Sequence, residues 1–211
     1  AAGWPPLLDA LQDALGRGLY AVPLLSYELG AHLDNLPAHR QDGPLAQVLL
    51  FTQCEHLNGT QVESWLASRV PDGVPAGVAG IQANVDEAAF VAAIGRIRDY
   101  IAAGDTYQVN YTYRLRFDAF GSLFGLYARL RARQPVPYGA LVCLPDGGAL
   151  LSFSPELFVR HDAGVLMARP MKGTAPASGD ATLDAERSKA LAHDTKNRAE
   201  NLMIVDLLRN D

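Results

Sequence analysis

Three segments of the chain set ionisable side chains where packing alone does not ask for them. The first is Ser152-Phe-Ser-Pro-Glu156-Leu-Phe158, which puts a carboxylate directly after a proline and between two apolar runs. Lodged between buried strands, Glu156 is partly desolvated, keeps its proton more readily and suits acid catalysis. On an edge strand the same residue simply faces water. The second is Arg169-Pro-Met-Lys172-Gly-Thr-Ala-Pro176, a lysine enclosed between a proline and a Gly-Thr turn. A pocket there would strip the amine of water and favour its neutral, nucleophilic form, whereas an open loop would leave a solvated charge. The third runs from Asp194 to Asp211, where Glu200 falls at helical spacing on one stripe with Met203, Ile204 and Leu207. A carboxylate in a core stripe needs a partner, either an arginine or a hard cation such as Mg²⁺.

The elements that must carry these segments are legible from periodicity and punctuation. Leu7, Leu8, Leu11 and Leu15 give one helical pattern, followed by strand-like runs at residues 19–27 and 46–52. The glycine- and proline-rich stretch from Val70 to Gly80 is the best boundary, dividing the chain into residues 1–80 and 81–211. Asp86 caps a helix whose Phe90, Ile94, Ile97 and Ile101 share a face, and Gly104 ends it. From Thr106 to Phe117 apolar and polar residues alternate strictly, which predicts a strand with Gln108 and Asn110 on its polar face. Ser122 opens a helix; strands at 138–144, 149–154, 157–160 and 165–169 follow, the last two joined by Asp162-Ala-Gly164. Helices at about 183–192 and from Asp194 onward close the chain. Helices mixed with antiparallel hairpins predict an α+β fold of layered antiparallel sheets, not a doubly wound parallel one.

Composition removes several classes of function. Lysine and arginine total 18 against 23 acidic residues, a formal charge of −5 with no basic stretch to follow a phosphate backbone, so nucleic acid is not an expected partner. No apolar run approaches the roughly 20 residues that span a bilayer. Cys54 and Cys143 stand alone, outside any metal or disulfide spacing, and buried reduced thiols are the default for both. A basic, then apolar leader is not seen at Ala1, and cytoplasm is the simplest location. Arg209-Asn210-Asp211 closes a helical pattern with no C-cap glycine, as a truncated chain would.

Taken in order, Gly104-Asp-Thr-Tyr-Gln-Val-Asn110 and the three segments above resemble the signatures of the chorismate-utilising family. That family includes the large subunits of anthranilate synthase and aminodeoxychorismate synthase, the isochorismate synthases and the salicylate synthases. The resemblance covers roughly Val85 to Asp211. It implies an anthranilate/aminodeoxychorismate synthase-like fold, incomplete at its carboxyl end, with residues 1–80 as an amino-terminal subdomain and 81–211 as the first part of the catalytic core. Isochorismate and salicylate synthases carry a water-activating lysine where this chain has Gln108. Anthranilate synthases look like Pro-Ile-Ala-Gly-Thr where this chain reads Pro170-Met-Lys172-Gly-Thr174. Gln108 with Lys172 therefore resembles the aminodeoxychorismate branch.

What the resemblance implies is an amination of chorismate at C4 in p-aminobenzoate and folate biosynthesis. Lys172 is then the nucleophile, Glu156 the proton donor, and Glu200 a ligand for Mg²⁺; Gln108 and Gly173 border the substrate. Thr174 either contacts substrate or closes its own turn. Ammonia comes from a glutamine amidotransferase subunit or domain in such proteins, and neither cysteine here has a nucleophile-elbow setting that would supply one. Related proteins hold tryptophan beside a Pro-x-Pro-Tyr segment, which Pro135-Val-Pro137-Tyr138-Gly139 resembles; the alternative is a strand start shaped by its prolines. Two rivals stand beside this expectation: anthranilate synthesis, which Lys172 opposes, and an inert fragment or binding module of the same family.

Overall fold

The computed structural model describes residues 3–37, 43–70 and 73–210. Residues 71 and 72 of the expected boundary stretch, and Asp211, lie outside them. Contacts divide the chain between Val62 and Glu63, not at residue 80, because the glycine-rich stretch leads straight into a strand that pairs within the second unit.

In the first unit helix α1 (Trp4–Gly16) precedes strand β1 (Tyr20–Leu25). Helix α2 (Glu28–Leu33) then separates β1 from its antiparallel partner β2 (Ala46–Phe51), with Tyr20 opposite Phe51. Helix α3 (Gly59–Ala67) begins in this unit; its first turn is closed by reciprocal hydrogen bonds between Asn58 and Gln61. The sequence pattern did not announce α2 or α3, which are short and carry little apolar periodicity.

The second unit continues from Glu63. Strand β3 (Gly77–Ala83) leads into helix α4 (Glu87–Ala103), whose amino end Asp86 caps by accepting the Ala89 amide and whose end Gly104 terminates at φ 83°, both as the sequence predicts. Strand β4 (Leu115–Phe120) returns antiparallel to β3. Helix α5 (Leu123–Arg133), capped by Ser122, is followed by the pair β5 (Tyr138–Cys143) and β6 (Ala149–Ser154). Strands β7 (Leu157–Asp162) and β8 (Val165–Arg169) form a hairpin over the two-residue turn Ala163-Gly164. Helices α6 (Ala181–His193) and α7 (Thr195–Asn210) complete the α+β architecture.

Among the described residues the strands make four two-stranded sheets. A lone pair of strands is marginal in water, and packing against a helix is what steadies one. The best-covered pair is β5–β6: Tyr127 of α5 is buried and stacks on Phe153 of β6 with ring centroids 5.2 Å apart. Around it, Leu66, Ala76 and Leu126 are buried, Trp65 meets Phe124 edge-on at 5.8 Å, and the Arg129 guanidinium donates to the Ala76 carbonyl. The β7–β8 hairpin is more open, with Phe158 and Leu166 77% and 72% exposed.

The strand expected over residues 106–117 forms only from Leu115. Its partner, β3, ends at Ala83 opposite Leu115 and gives way to the Asp86 cap, so residues 106–114 meet no ladder partner among the described residues. They are instead fastened at one end. Asn84 and Arg114 exchange two hydrogen bonds, 2.8 Å and 3.0 Å, and Phe90 of α4 meets Tyr111 and Tyr113 at 5.7 Å and 6.0 Å. The spacing of two between the tyrosines keeps extended-chain geometry without a sheet. Cys54 and Cys143 are free but exposed, not buried, since the segments holding them lie uncovered.

Candidate active site

The bend between β6 and β7 is shaped by Ser154, whose hydroxyl accepts the Glu156 amide at 3.3 Å and donates to the Glu156 carbonyl at 3.0 Å. This aims the Glu156 side chain past the end of β8, where one carboxylate oxygen accepts the Met171 amide at 3.1 Å. A residue at the β6–β7 bend is thereby tied to the neighbour of Lys172. Glu156 is exposed and not desolvated as the flanking apolar runs predicted, because β6 and β7 each pair with a single strand.

Lys172 is half-buried in the irregular stretch after β8. Gly173 follows with φ +76°, a conformation that glycine adopts freely and other residues pay strain for. It also lies against α7: a Cβ at this position would stand 2.5 Å from Asn197 Oδ1. Both conditions demand glycine. Asn197 is itself set by its amide donating to Asp194 at 2.8 Å, the cap that starts α7. Lys172, Asn197, Arg198, Asn201 and Ser188 border a shallow cavity of about 370 Å³ between the loop and the two last helices. Thr174 is exposed.

Downstream, the same loop is fixed by α6. Asp180 caps the helix by accepting the amides of Thr182 and Leu183. Asp184 reaches back to accept the Ser178 amide at 2.8 Å, the Ser178 hydroxyl at 2.7 Å and the Gly179 amide at 3.2 Å. Hydrogen bonds from the Ser178 amide and then the Ser178 hydroxyl hold this carboxyl below its ordinary value, with the Gly179 amide adding to them and desolvation opposing. Arg187 donates to the Pro176 carbonyl at 2.7 Å. Sequence reasoning passed over Asp184, Arg187 and Asn197; the Ser-Gly-Asp run ahead of a helix, with a second aspartate four residues on, was the signal available.

Glu200 lies on α7 with its side chain 37% exposed, and its partner is Lys196 at 3.8 Å, an i,i+4 pair, not an arginine. Among the described residues no group of three or more metal-ligating side chains occurs, and Glu200 stands as a single carboxylate on its helix. Gln108 is exposed, its carbonyl accepting the Thr106 hydroxyl at 3.1 Å, and no hydrogen bond joins it to Glu156 or Lys172. Its neighbour Tyr107 does approach α7, bordering a cavity with Met203 and Asp206. Pro137, Tyr138 and Gly139 open β5; the Tyr127 hydroxyl lies 3.0 Å from where a Gly139 Cβ would stand. The cavity beside them, about 460 Å³, is bordered by Arg131, Pro135 and Val136 and by none of those three. No helix among the described residues is long and apolar enough to cross a membrane.

Against known proteins, residues 5–211 match the family described as chorismate binding enzyme. The chain is 37% identical over 149 residues to aminodeoxychorismate synthase component 1 of Salmonella typhimurium, covering 70% of this chain and 33% of that protein. It is 34% identical over 224 aligned residues to an aminodeoxychorismate synthase of Streptomyces griseus, covering 90% and 30%. It is 38% identical over 135 residues to anthranilate synthase component 1 of Streptomyces coelicolor, covering 64% and 26%. The chain thus spans a third or less of the length of these curated relatives. No solved structure gives a significant match.

Proposed function

The chain belongs to the chorismate binding enzyme family, and within it we propose that the protein carrying it aminates chorismate at C4 to give 4-amino-4-deoxychorismate. The observation that carries this reading is the hydrogen bond from the Met171 amide to Glu156, which ties a carboxyl group to the residue directly before the only lysine in the signature loop. Lys172 Nζ, in its neutral form, bonds to C2 of the ring as the C4–O bond breaks, both double bonds of the cyclohexadiene shift to carry the electron pair from C2 to C4, and Glu156 gives its proton to the departing hydroxyl, which leaves as water. Ammonia then bonds to C4 as the Nζ–C2 bond breaks, returning the lysine. Two displacements through a nucleophilic side chain replace one that is harder.

Gln108 is read as a substrate-facing side chain that lacks the base needed to activate water, and Gly173 and Thr174 as the backbone bordering the ring. Glu200 is the side chain we assign to Mg²⁺, which when bound would offset the charge of a substrate carboxylate. The protein would draw ammonia from a glutamine amidotransferase partner and act in folate synthesis in the cytoplasm. Anthranilate formation is the second reading, favoured by a relative of that name at 38% identity; Lys172 in the signature loop opposes it.

Chorismate trapped on the whole protein and weighed by intact mass spectrometry tests the proposal. The wild type should carry a covalent adduct on Lys172, and Lys172→Ala should carry none and lose amination. An adduct that persists in the variant removes Lys172 from the chemistry; anthranilate and pyruvate as products would establish the second reading.

A further inference from the structure

The Lys172 loop has no regular secondary structure from Pro170 to Gly179, yet both of its ends are tied. Upstream the tie is Glu156 to the Met171 amide. Downstream it is Asp184, whose two oxygens take three hydrogen bonds from Ser178 and Gly179, together with Arg187, whose guanidinium takes the Pro176 carbonyl and lies 4.0 Å from Asp184. Gly173 is pressed between these ties against Asn197.

Two features separate this arrangement from ordinary helix capping. The helix already has a cap in Asp180, which accepts from Thr182 and Leu183, so Asp184 is not needed to satisfy the amides of its own first turn. Arg187 also reaches eleven residues back, past the cap, to a carbonyl four residues from Lys172. Bonds to a charged carboxylate or guanidinium are shorter and stronger than neutral ones, so the loop is held by charged anchors on a rigid helix. An extended span of at most ~3.5 Å per residue links the Pro176 tie to Lys172, and shortening that leash limits how far the amine can stray.

We propose that Asp184, acting with Arg187, is a positioning residue for Lys172, setting where its amine stands relative to the cavity. The proposal rests on the reading of Lys172 as the nucleophile, but its test does not require turnover. In the whole protein, brief labelling with an amine-acylating reagent, followed by peptide mass spectrometry, reports Lys172 against Lys189 and Lys196 as internal standards. Amide hydrogen exchange of Met171 reports the far side of the loop.

Asp184→Asn and Arg187→Ala should each speed Lys172 labelling by about threefold or more relative to the standards, and speed exchange at Met171, with the circular dichroism of the helices unchanged. Ser178→Ala, which removes one of the three donors, should give a smaller change of the same sign. Faster exchange confined to Ser178 and Gly179, with Met171 and Lys172 unmoved, would reduce Asp184 to a local capping residue and overturn the proposal. No change at any of these positions would overturn it as well. Because neither readout passes through chorismate, a failed adduct experiment leaves this result standing, and the reverse also holds.

Discussion

Residues 170–180 and residues 106–114 are both irregular, and both carry signature side chains, but they are held in different ways. The first segment places its polar groups on charged side chains of neighbouring elements: Glu156 takes Met171, Arg187 takes Pro176, and Asp184 takes Ser178 and Gly179. The second is pinned at its carboxyl end by Asn84 and by Phe90 against two tyrosines, while Gln108 and Asn110 remain exposed. Irregular backbone stays ordered when its amides and carbonyls find partners. A segment of alternating residues is built for a ladder, and without one it is held by the backbone of Arg114 on Asn84 and by the rings of Tyr111 and Tyr113 on Phe90.

The largest test of that difference is Gly173→Ala. A positive φ alone costs an alanine roughly 1–2 kcal/mol, and its Cβ would also stand 2.5 Å from Asn197 Oδ1. Denaturant unfolding of the 211-residue chain should show a loss at or above that range, with Met171 exchange accelerated. Adding Asn197→Ala should recover the steric part and leave the φ part. If Gly173→Ala unfolds like the wild type, the loop is not seated on α7 and the contrast fails.

Acid offers a second way to part the two segments. The Asp184 carboxyl is held below its ordinary value of 3.8, so the stability it lends is fully present above that pH and is lost as pH falls through the lower, folded value. On acidification the Ser178 and Gly179 amides should therefore lose protection below about pH 4, while the Arg114 amide, held by the uncharged Asn84, should show no such step. In Asp184→Asn the acid step at Ser178 should vanish. A step that survives the substitution would assign it to another carboxylate.

This contrast also explains what could be read from the sequence. Ends of elements that depend on near neighbours were legible: Asp86 and Gly104 bound α4, Ser122 starts α5, and the β7–β8 turn falls at Ala163-Gly164. Properties that depend on distant chain were not. Alternation over 106–117 showed the capacity to pair but not the presence of a partner, and two apolar runs around Glu156 promised burial that single-partner strands do not give. The stripe that Glu200 shares with Met203, Ile204 and Leu207 asks for an arginine or a cation, yet Lys196 one turn away meets the half-exposed carboxylate. The part played by Asp184 depends on a loop folding back on it, which spacing along a helix does not reveal.

The smallest expected effect is also the most direct check on the weaker region. Val109 is 43% exposed and sits in the unpaired stretch, where trading its apolar surface for a hydroxyl removes little packing. Val109→Ser should change the unfolding free energy of the 211-residue chain by less than about 0.5 kcal/mol, the usual range for surface positions. Burying a valine side chain is worth about 1.5 kcal/mol or more, so a loss of that size would mean that the part of the segment around Val109 is covered as well as its tyrosine end. The two irregular segments would then differ in what covers them and not in whether they are covered.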